Sequence, residues 1–98
     1  MSREVYQYEF DATVESADIQ ATLMLALLGT ESLHGETQVQ LAAPYAVDDT
    51  ERKCVIDAST PVGQDFNRLF MGYLRGEFDA SCFRVRRVDG ANDPATAA

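Results

Sequence analysis

The stretch at residues 19–28, Ile-Gln-Ala-Thr-Leu-Met-Leu-Ala-Leu-Leu, decides how this chain folds. Its last six residues are apolar without a polar break. Because successive residues of an α-helix are rotated by about 100°, Ile19, Leu23 and Leu27 fall on one stripe that can pack against a sheet. The sequence predicts a first helix over about residues 17–33, with Gly35 just beyond its end.

Four residues of the same helix lie off that stripe and are apolar as well: Ala21, Met24, Leu25 and Leu28. A helix that covers one face of a sheet is ordinarily polar on its outer side. A chain of 98 residues has room for one two-layer domain, so no third layer covers these side chains. We therefore predict that they form an exposed interface, through which the chain self-associates as a homodimer by two-fold contact of the same patch.

Alternating apolar and polar residues predict four strands. The first strand spans residues 4–12 and places Tyr6, Tyr8 and Phe10 on one side. The other three are expected at residues 36–46, 53–58 and 81–88. A second helix is expected after Thr60-Pro61, because threonine is a good N-cap and proline suits the first helical position. It is amphipathic, and Gly76 is its expected end.

The resulting order, β-α-β-β-α-β, predicts an α+β fold of the ferredoxin-like kind. This is a two-layer sandwich of an antiparallel sheet with two helices on one face and the strand order 4-1-3-2. The fourth strand then lies beside the first, so Arg84 and Arg86 meet Glu9 and Asp11 on the open face. We expect this single domain to occupy residues 1–88. Residues 89–98 have nothing to bury and are expected to be a disordered C-terminal tail.

Composition excludes several classes of function. Sixteen acidic against eight basic residues give a net charge of -8, which repels the phosphates of nucleic acids. No apolar run approaches the ~20 residues that cross a membrane, and no signal peptide opens the chain, so a soluble cytoplasmic protein is expected. The two cysteines, Cys54 and Cys82, are too few for a disulfide framework and lack the spacing of a zinc site. We expect no cofactor and no metal.

One turn is a candidate ligand site. The start of the second helix offers free N–H groups and a positive dipole, and Ser59, Thr60 and Gly63 would let an anion approach there. The simpler interpretation is that these residues only cap the helix, and Asp57 nearby is itself an anion. His34, the single histidine, sits at the end of the first helix, where it complements the helix dipole.

No catalytic signature emerges from the sequence. The first hypothesis is a non-enzymatic binding or oligomerisation module that contacts a second copy or another protein through the first helix or the open sheet. The alternative is a small cofactor-free enzyme of the dimeric α+β-barrel kind, or a regulatory domain that senses a small ligand. A barrel needs an apolar open sheet face, but the residues expected there are mostly polar: Gln7, Glu9, Asp11, Gln38, Gln40, Lys53, Val55, Asp57, Arg84 and Arg86. This composition favours the first hypothesis.

Overall fold

One four-stranded antiparallel sheet and three α-helices make up the part of the chain that the computed structural model describes, residues 4–48 and 50–88. The elements are β1 (Val5–Phe10), α1 (Ser16–His34), α2 (Glu36–Ala42), β2 (Tyr45–Asp48), β3 (Lys53–Asp57), α3 (Pro61–Glu77), a 3-10 turn (Ala80–Cys82) and β4 (Phe83–Arg87). The strands lie in the order β2-β3-β1-β4, which reads 4-1-3-2 from the β4 edge. The tail predicted for residues 89–98 lies outside the described residues.

The predicted ferredoxin-like sandwich with two helices is wrong, because the described chain holds a third helix. The segment expected to be a strand at residues 36–46 forms α2 and then the short strand β2. Alternating apolar and polar residues in this segment suggested a strand with Val39 and Leu41 on its buried face. In the structure Val39 is the one buried residue of α2, whereas Leu41 points into solvent. Glutamate, glutamine, leucine and alanine, which dominate this segment, are strong helix formers.

Two backbone turns make this extra helix fit. Gly35 ends α1 with a φ of 89°, a left-handed value that glycine adopts at little cost, so α2 begins at once in a new direction. Ala43 ends α2 with a φ of 44°, and Pro44 then lacks the N–H that a longer helix would need. The peptide N–H of Asp57 donates to the Pro44 carbonyl at 2.8 Å, which joins the new strand to β3.

The core lies between the sheet and α1 with α3. On the sheet side, Tyr8 meets Phe70 edge-on with ring centroids 4.9 Å apart, and Tyr45 stacks on Phe66 at the same distance. The Tyr8 hydroxyl donates to Asn67 Oδ1, which satisfies a polar group at the edge of the apolar core. The cluster of buried side chains is Tyr8, Phe10, Val14, Ile19, Leu23, Ala26, Cys54, Ile56, Phe66, Phe70 and Leu74.

Two glycines allow close packing of the helices. A Cβ on Gly29 of α1 would stand 2.9 Å from Leu69 Cδ1, so its absence lets α3 approach. A Cβ on Gly63 would stand 1.8 Å from the Asp57 carbonyl oxygen, so the start of α3 lies directly against the end of β3. The second contact involves backbone, which cannot give way as a flexible side chain can. Gly63 is therefore fixed by packing.

Candidate functional site

The predicted interface residues lie together on the exposed side of α1. Met24, Leu25 and Leu28 are 54, 50 and 53% exposed, and Ala21 one turn earlier is exposed as well. The opposite side of the helix is buried and carries Ile19, Thr22, Leu23, Ala26 and Thr30. We call Ala21, Met24, Leu25 and Leu28 the α1 outer face. The structure brings its four members onto one surface, and their role in an interface stays a prediction.

The polar residues on the buried side of α1 are satisfied within the helix. The Thr22 hydroxyl donates to the Asp18 carbonyl at 2.8 Å, and the Thr30 hydroxyl donates to the Ala26 carbonyl at 2.7 Å. Both residues therefore behave as apolar groups toward the core. As a result α1 is nearly as apolar on the side that faces the domain as on the side that faces solvent.

The α1 outer face is also free of charge. Residues 19–30 contain no ionisable side chain, although the chain as a whole has a net charge of -8. Two copies of such an acidic protein repel each other over most of their surfaces. The exposed side chains of α1 between residues 19 and 30 add no charge to that repulsion.

A shallow groove of about 230 Å³ continues the α1 outer face toward the edge of the sheet. One wall is α1, with Gln20, Leu23 and Met24, and the other is the edge strand β2, with Tyr45 and Val47. Val47 is an exposed apolar side chain. The residue pattern did not indicate this groove because β2 was expected at residues 36–46, which placed the wrong residues at the sheet edge.

The turn before α3 is built as a helix cap. Thr60 Oγ1 accepts from the Gly63 peptide N–H at 3.1 Å, Ser59 Oγ accepts from the Glu4 N–H at 2.9 Å, and the Ser59 N–H donates to Asp57 Oδ1 at 2.9 Å. These bonds already use the Gly63 N–H and both hydroxyl oxygens. Anion binding by Ser59, Thr60 and Gly63 stays a prediction, and an anion there would compete with the carboxylate of Asp57.

His34 has a carboxylate partner that the sequence did not indicate. Its Nε2 lies 2.7 Å from Asp65 Oδ2 in α3, and the two side chains are 23 and 32% exposed. The pair borders an open depression of about 380 Å³ between α2 and the start of α3, lined by His34, Gln38, Leu41, Ala42, Thr60, Pro61 and Val62. Thr60 is the hydroxyl-bearing residue of that lining, and its oxygen already accepts the cap bond from Gly63. The pair links two helices, and no activated nucleophile accompanies it in this lining.

The open face of the sheet is polar. Glu9 lies opposite Lys53 on one side and Arg84 on the other, as expected for Arg84, whereas Arg86 lies opposite Gln7. Two expectations for this face were wrong: Gln38 and Gln40 belong to α2, and Asp11 follows the end of β1. The Asp11 carboxylate accepts from the Thr13 hydroxyl, and this bond lowers its pKa.

A depression of about 510 Å³ lies where β1 ends and β4 begins. Its charged lining consists of Glu9, Asp11, Glu51 and Arg84, and Cys82 also borders it. Among residues 4–48 and 50–88, no group of three or more histidine, cysteine, aspartate or glutamate side chains is arranged to hold a metal ion. The arrangement is an open hollow with mixed charge.

Comparison of the chain with protein-family models, with curated proteins and with solved structures finds no match in any of the three. Within the described parts of the chain, no helix has both the length and the apolar character needed to cross a membrane. The function of this domain is therefore inferred from its own surfaces.

Proposed function

We propose that this chain is a non-enzymatic oligomerisation module, which forms a homodimer through the α1 outer face. The observation that carries the proposal is the half-exposed state of Met24, Leu25 and Leu28 on a helix without charge from residue 19 to residue 30. Contiguous apolar surface of this kind ordinarily marks a contact site. A two-fold axis lets the same patch cover itself, so a single sequence feature serves both copies.

A second copy fits this surface better than an acidic or a basic ligand does. The patch offers neither donors nor charges, so its complement is another apolar surface, and the protein's own copy supplies one. The barrel-type enzyme requires an apolar open sheet face, and that face here carries Glu9 between Lys53 and Arg84, with Gln7 beside Arg86. We therefore place the contact on the helix side of the domain.

The expected affinity is modest. Burying the exposed half of one Met or Leu side chain contributes about 1 kcal/mol, so three such residues on each of two copies contribute about 6 kcal/mol. The loss of translational and rotational freedom on association costs roughly 4–15 kcal/mol. A dimer held by the α1 outer face alone is therefore weak, and a tighter dimer needs contacts beyond the helix.

Light scattering after size exclusion, over a range of protein concentrations, tests the proposal. We expect the wild type to approach twice the monomer mass at high concentration and Met24→Glu/Leu28→Glu to remain a monomer. The matched control is Leu33→Glu/Leu41→Glu, which adds the same charge at leucines that are 66 and 76% exposed elsewhere. A wild type that stays monomeric at several hundred micromolar, or a control that dissociates equally, would contradict the proposal.

A further inference from the structure

The edge strand β2 has backbone groups that point away from the sheet at two positions. It pairs with β3 so that Tyr45 lies opposite Ile56 and Val47 opposite Cys54. The Asp57 N–H donates to the Pro44 carbonyl, so the pair Pro44–Asp57 is hydrogen-bonded. In an antiparallel ladder, bonded and non-bonded pairs alternate.

This alternation shows which residues of β2 direct their backbone groups toward β3 and which direct them away from the sheet. Pro44, Ala46 and Asp48 direct their backbone groups toward β3, whereas Tyr45 and Val47 direct their N–H and C=O groups outward. No strand of the described chain lies beyond β2. The side chains of Tyr45 and Val47 are on the helix side, where they line the groove with Met24, and Ala46 is exposed on the open face.

We propose that the β2 edges of two copies pair antiparallel around a two-fold axis, which joins the two sheets into one of eight strands. This inference rests on the proposed homodimer and specifies its geometry. Tyr45 of each copy then lies opposite Val47 of the other and exchanges two hydrogen bonds with it, so the two pairs make about four bonds. Ala46 meets Ala46 of the second copy on the axis, and Asp48 meets Pro44.

The charges favour this register. The two Asp48 carboxylates lie at opposite ends of the paired strands, and the axis carries only small alanine side chains. The other edge strand, β4, is unsuited to pairing with itself. At its two ends, the Val88 N–H donates to the Val5 carbonyl, and the Cys82 carbonyl accepts from the Asp11 N–H. By the same alternation, the backbone N–H and C=O groups of Phe83, Val85 and Arg87 point away from β1. Self-pairing centred on Val85 would set Arg84 against Arg86, and like charges directly opposite destabilise a sheet.

The α1 outer face and the β2 edge act together in this arrangement. Met24 lines the groove beside β2, and Leu28 follows it one turn later on the same side of α1. Joining the two β2 edges brings this side of α1 toward the same side of α1 in the second copy. Leu25 lies about 100° around the helix from Met24 and one turn before Gly29, which packs against Leu69 of α3, so it is peripheral. The backbone bonds add the contacts that a dimer held by α1 alone lacks.

Disulfide trapping tests the register directly. In a Cys82→Ser background, Ala46→Cys places two thiols on the axis, where non-bonded strand neighbours have Cα atoms about 4.5 Å apart and a disulfide forms readily. Asp48→Cys is the matched control, because the two Cα atoms at position 48 would be about 13 Å apart along the strands in this register. Under oxidised glutathione we expect Ala46→Cys to form a covalent dimer at least tenfold faster than Asp48→Cys.

A proline substitution tests the backbone bonds. Val47→Pro removes an outward N–H, a position where an edge strand tolerates proline, so the monomer keeps its circular dichroism spectrum. We expect its dimer Kd to rise at least tenfold, whereas Val47→Thr, which keeps the N–H and the branched shape, changes the Kd by less than threefold.

The outcomes separate this inference from the proposed function. A wild type that dimerises while Ala46→Cys crosslinks no faster than Asp48→Cys overturns the strand pairing and leaves the α1 dimer standing. A mass that grows beyond two copies with concentration indicates head-to-tail pairing of β2 with β4, which also overturns it. A monomeric wild type overturns both.

Discussion

His34 Nε2 lies 2.7 Å from Asp65 Oδ2, so the last residue of α1 is bound to a residue near the start of α3. The two residues are 31 positions apart in the chain. Their bond fixes the end of α1 against α3, near the point where Gly35 turns the chain into α2. This hydrogen bond therefore helps to hold the helical layer together at this end of the domain.

We expect Asp65→Asn to lower the free energy of unfolding by about 0.5–1 kcal/mol, because the pair is partly exposed to solvent and therefore screened. Urea denaturation at neutral pH measures this change. The matched control is Arg68→Ala, which removes a far more exposed partner 3.9 Å from the other Asp65 oxygen. Equal effects of the two substitutions would contradict a specific role for His34.

Two glycines of α3 give opposite predictions for the same substitution. Gly63→Ala places a methyl group where the Asp57 carbonyl lies, so we expect a loss of about 3 kcal/mol or more, the upper range for overpacking. Gly72→Ala meets nothing within 4 Å and should stabilise the helix by about 0.5–1 kcal/mol. Thermal and urea unfolding of both variants measure the difference. Stable folding of Gly63→Ala would show that α3 can move away from β3.

The two cysteines should differ in reactivity. Cys54 is buried in the core, and burial raises the pKa of its thiol to about 12. Cys82 is partly exposed at the depression between the end of β1 and the start of β4. We expect an aromatic disulfide reagent at pH 8 to modify one thiol in the folded protein and two in denaturant, and Cys82→Ser to abolish the rapid reaction. Rapid modification of both thiols in the native state would mean that the core opens on the timescale of the assay.

Alkaline pH should destabilise the fold, because burial gives the Cys54 thiol a higher pKa in the folded state than in the unfolded state. The Cys54 thiol holds its proton up to about pH 12 when folded but loses it near its ordinary pKa of 9.0 when unfolded. The folded state therefore binds more protons above pH 9, and its stability falls as pH rises from about 9 toward 12. Burial also raises the pKa of Tyr8, which adds to the loss above pH 10. The urea midpoint should fall between pH 8 and about pH 10.5, and Cys54→Ala should flatten that decline, although it starts from a lower stability.

Salt should strengthen the proposed dimer. Two copies with a net charge of -8 repel each other, while the contact surface itself contains no charged residue from position 19 to position 30 of α1. Raising NaCl from about 50 to about 500 mM shortens the screening length and should lower the dimer Kd. Sedimentation equilibrium at the two salt concentrations measures this. A Kd that rises with salt would point to ion pairs in the contact and would contradict an apolar one.

Several elements were readable from the sequence because their signals are local. Thr60 and Pro61 predict the start of α3, which the structure confirms, and the alternation of Tyr8 and Phe10 with polar neighbours predicts β1. The third helix was missed because its boundaries depend on left-handed turns at Gly35 and Ala43, and an alanine carries no signature of such a turn. A seven-residue helix with one buried side chain also has too little periodicity to separate it from a strand.

At the candidate site, too, the features with a local sequence signal could be predicted, and those that depend on tertiary packing could not. The exposure of Met24, Leu25 and Leu28 followed from a helix that is apolar on all sides. The groove beside Val47 did not follow, because it depends on the strand that was misplaced. The pairing of His34 with Asp65 joins two helices that are distant in sequence, so it depends on tertiary packing, which a pattern of residue types does not encode.

Gly29 has a consequence for how α1 is oriented about its own axis. On an ordinary amphipathic helix, the contrast between apolar and polar sides decides which side turns inward, but α1 lacks that contrast. Rolling it by a third of a turn would exchange buried leucines for exposed ones with little change in the apolar area covered. Shape contributes to the choice instead, because the side carrying Gly29 has room for Leu69 of α3, and a Cβ there would force the Leu69 side chain to shift. The absence of a methyl group at residue 29 therefore favours the observed roll of α1, which decides which leucines a second copy meets.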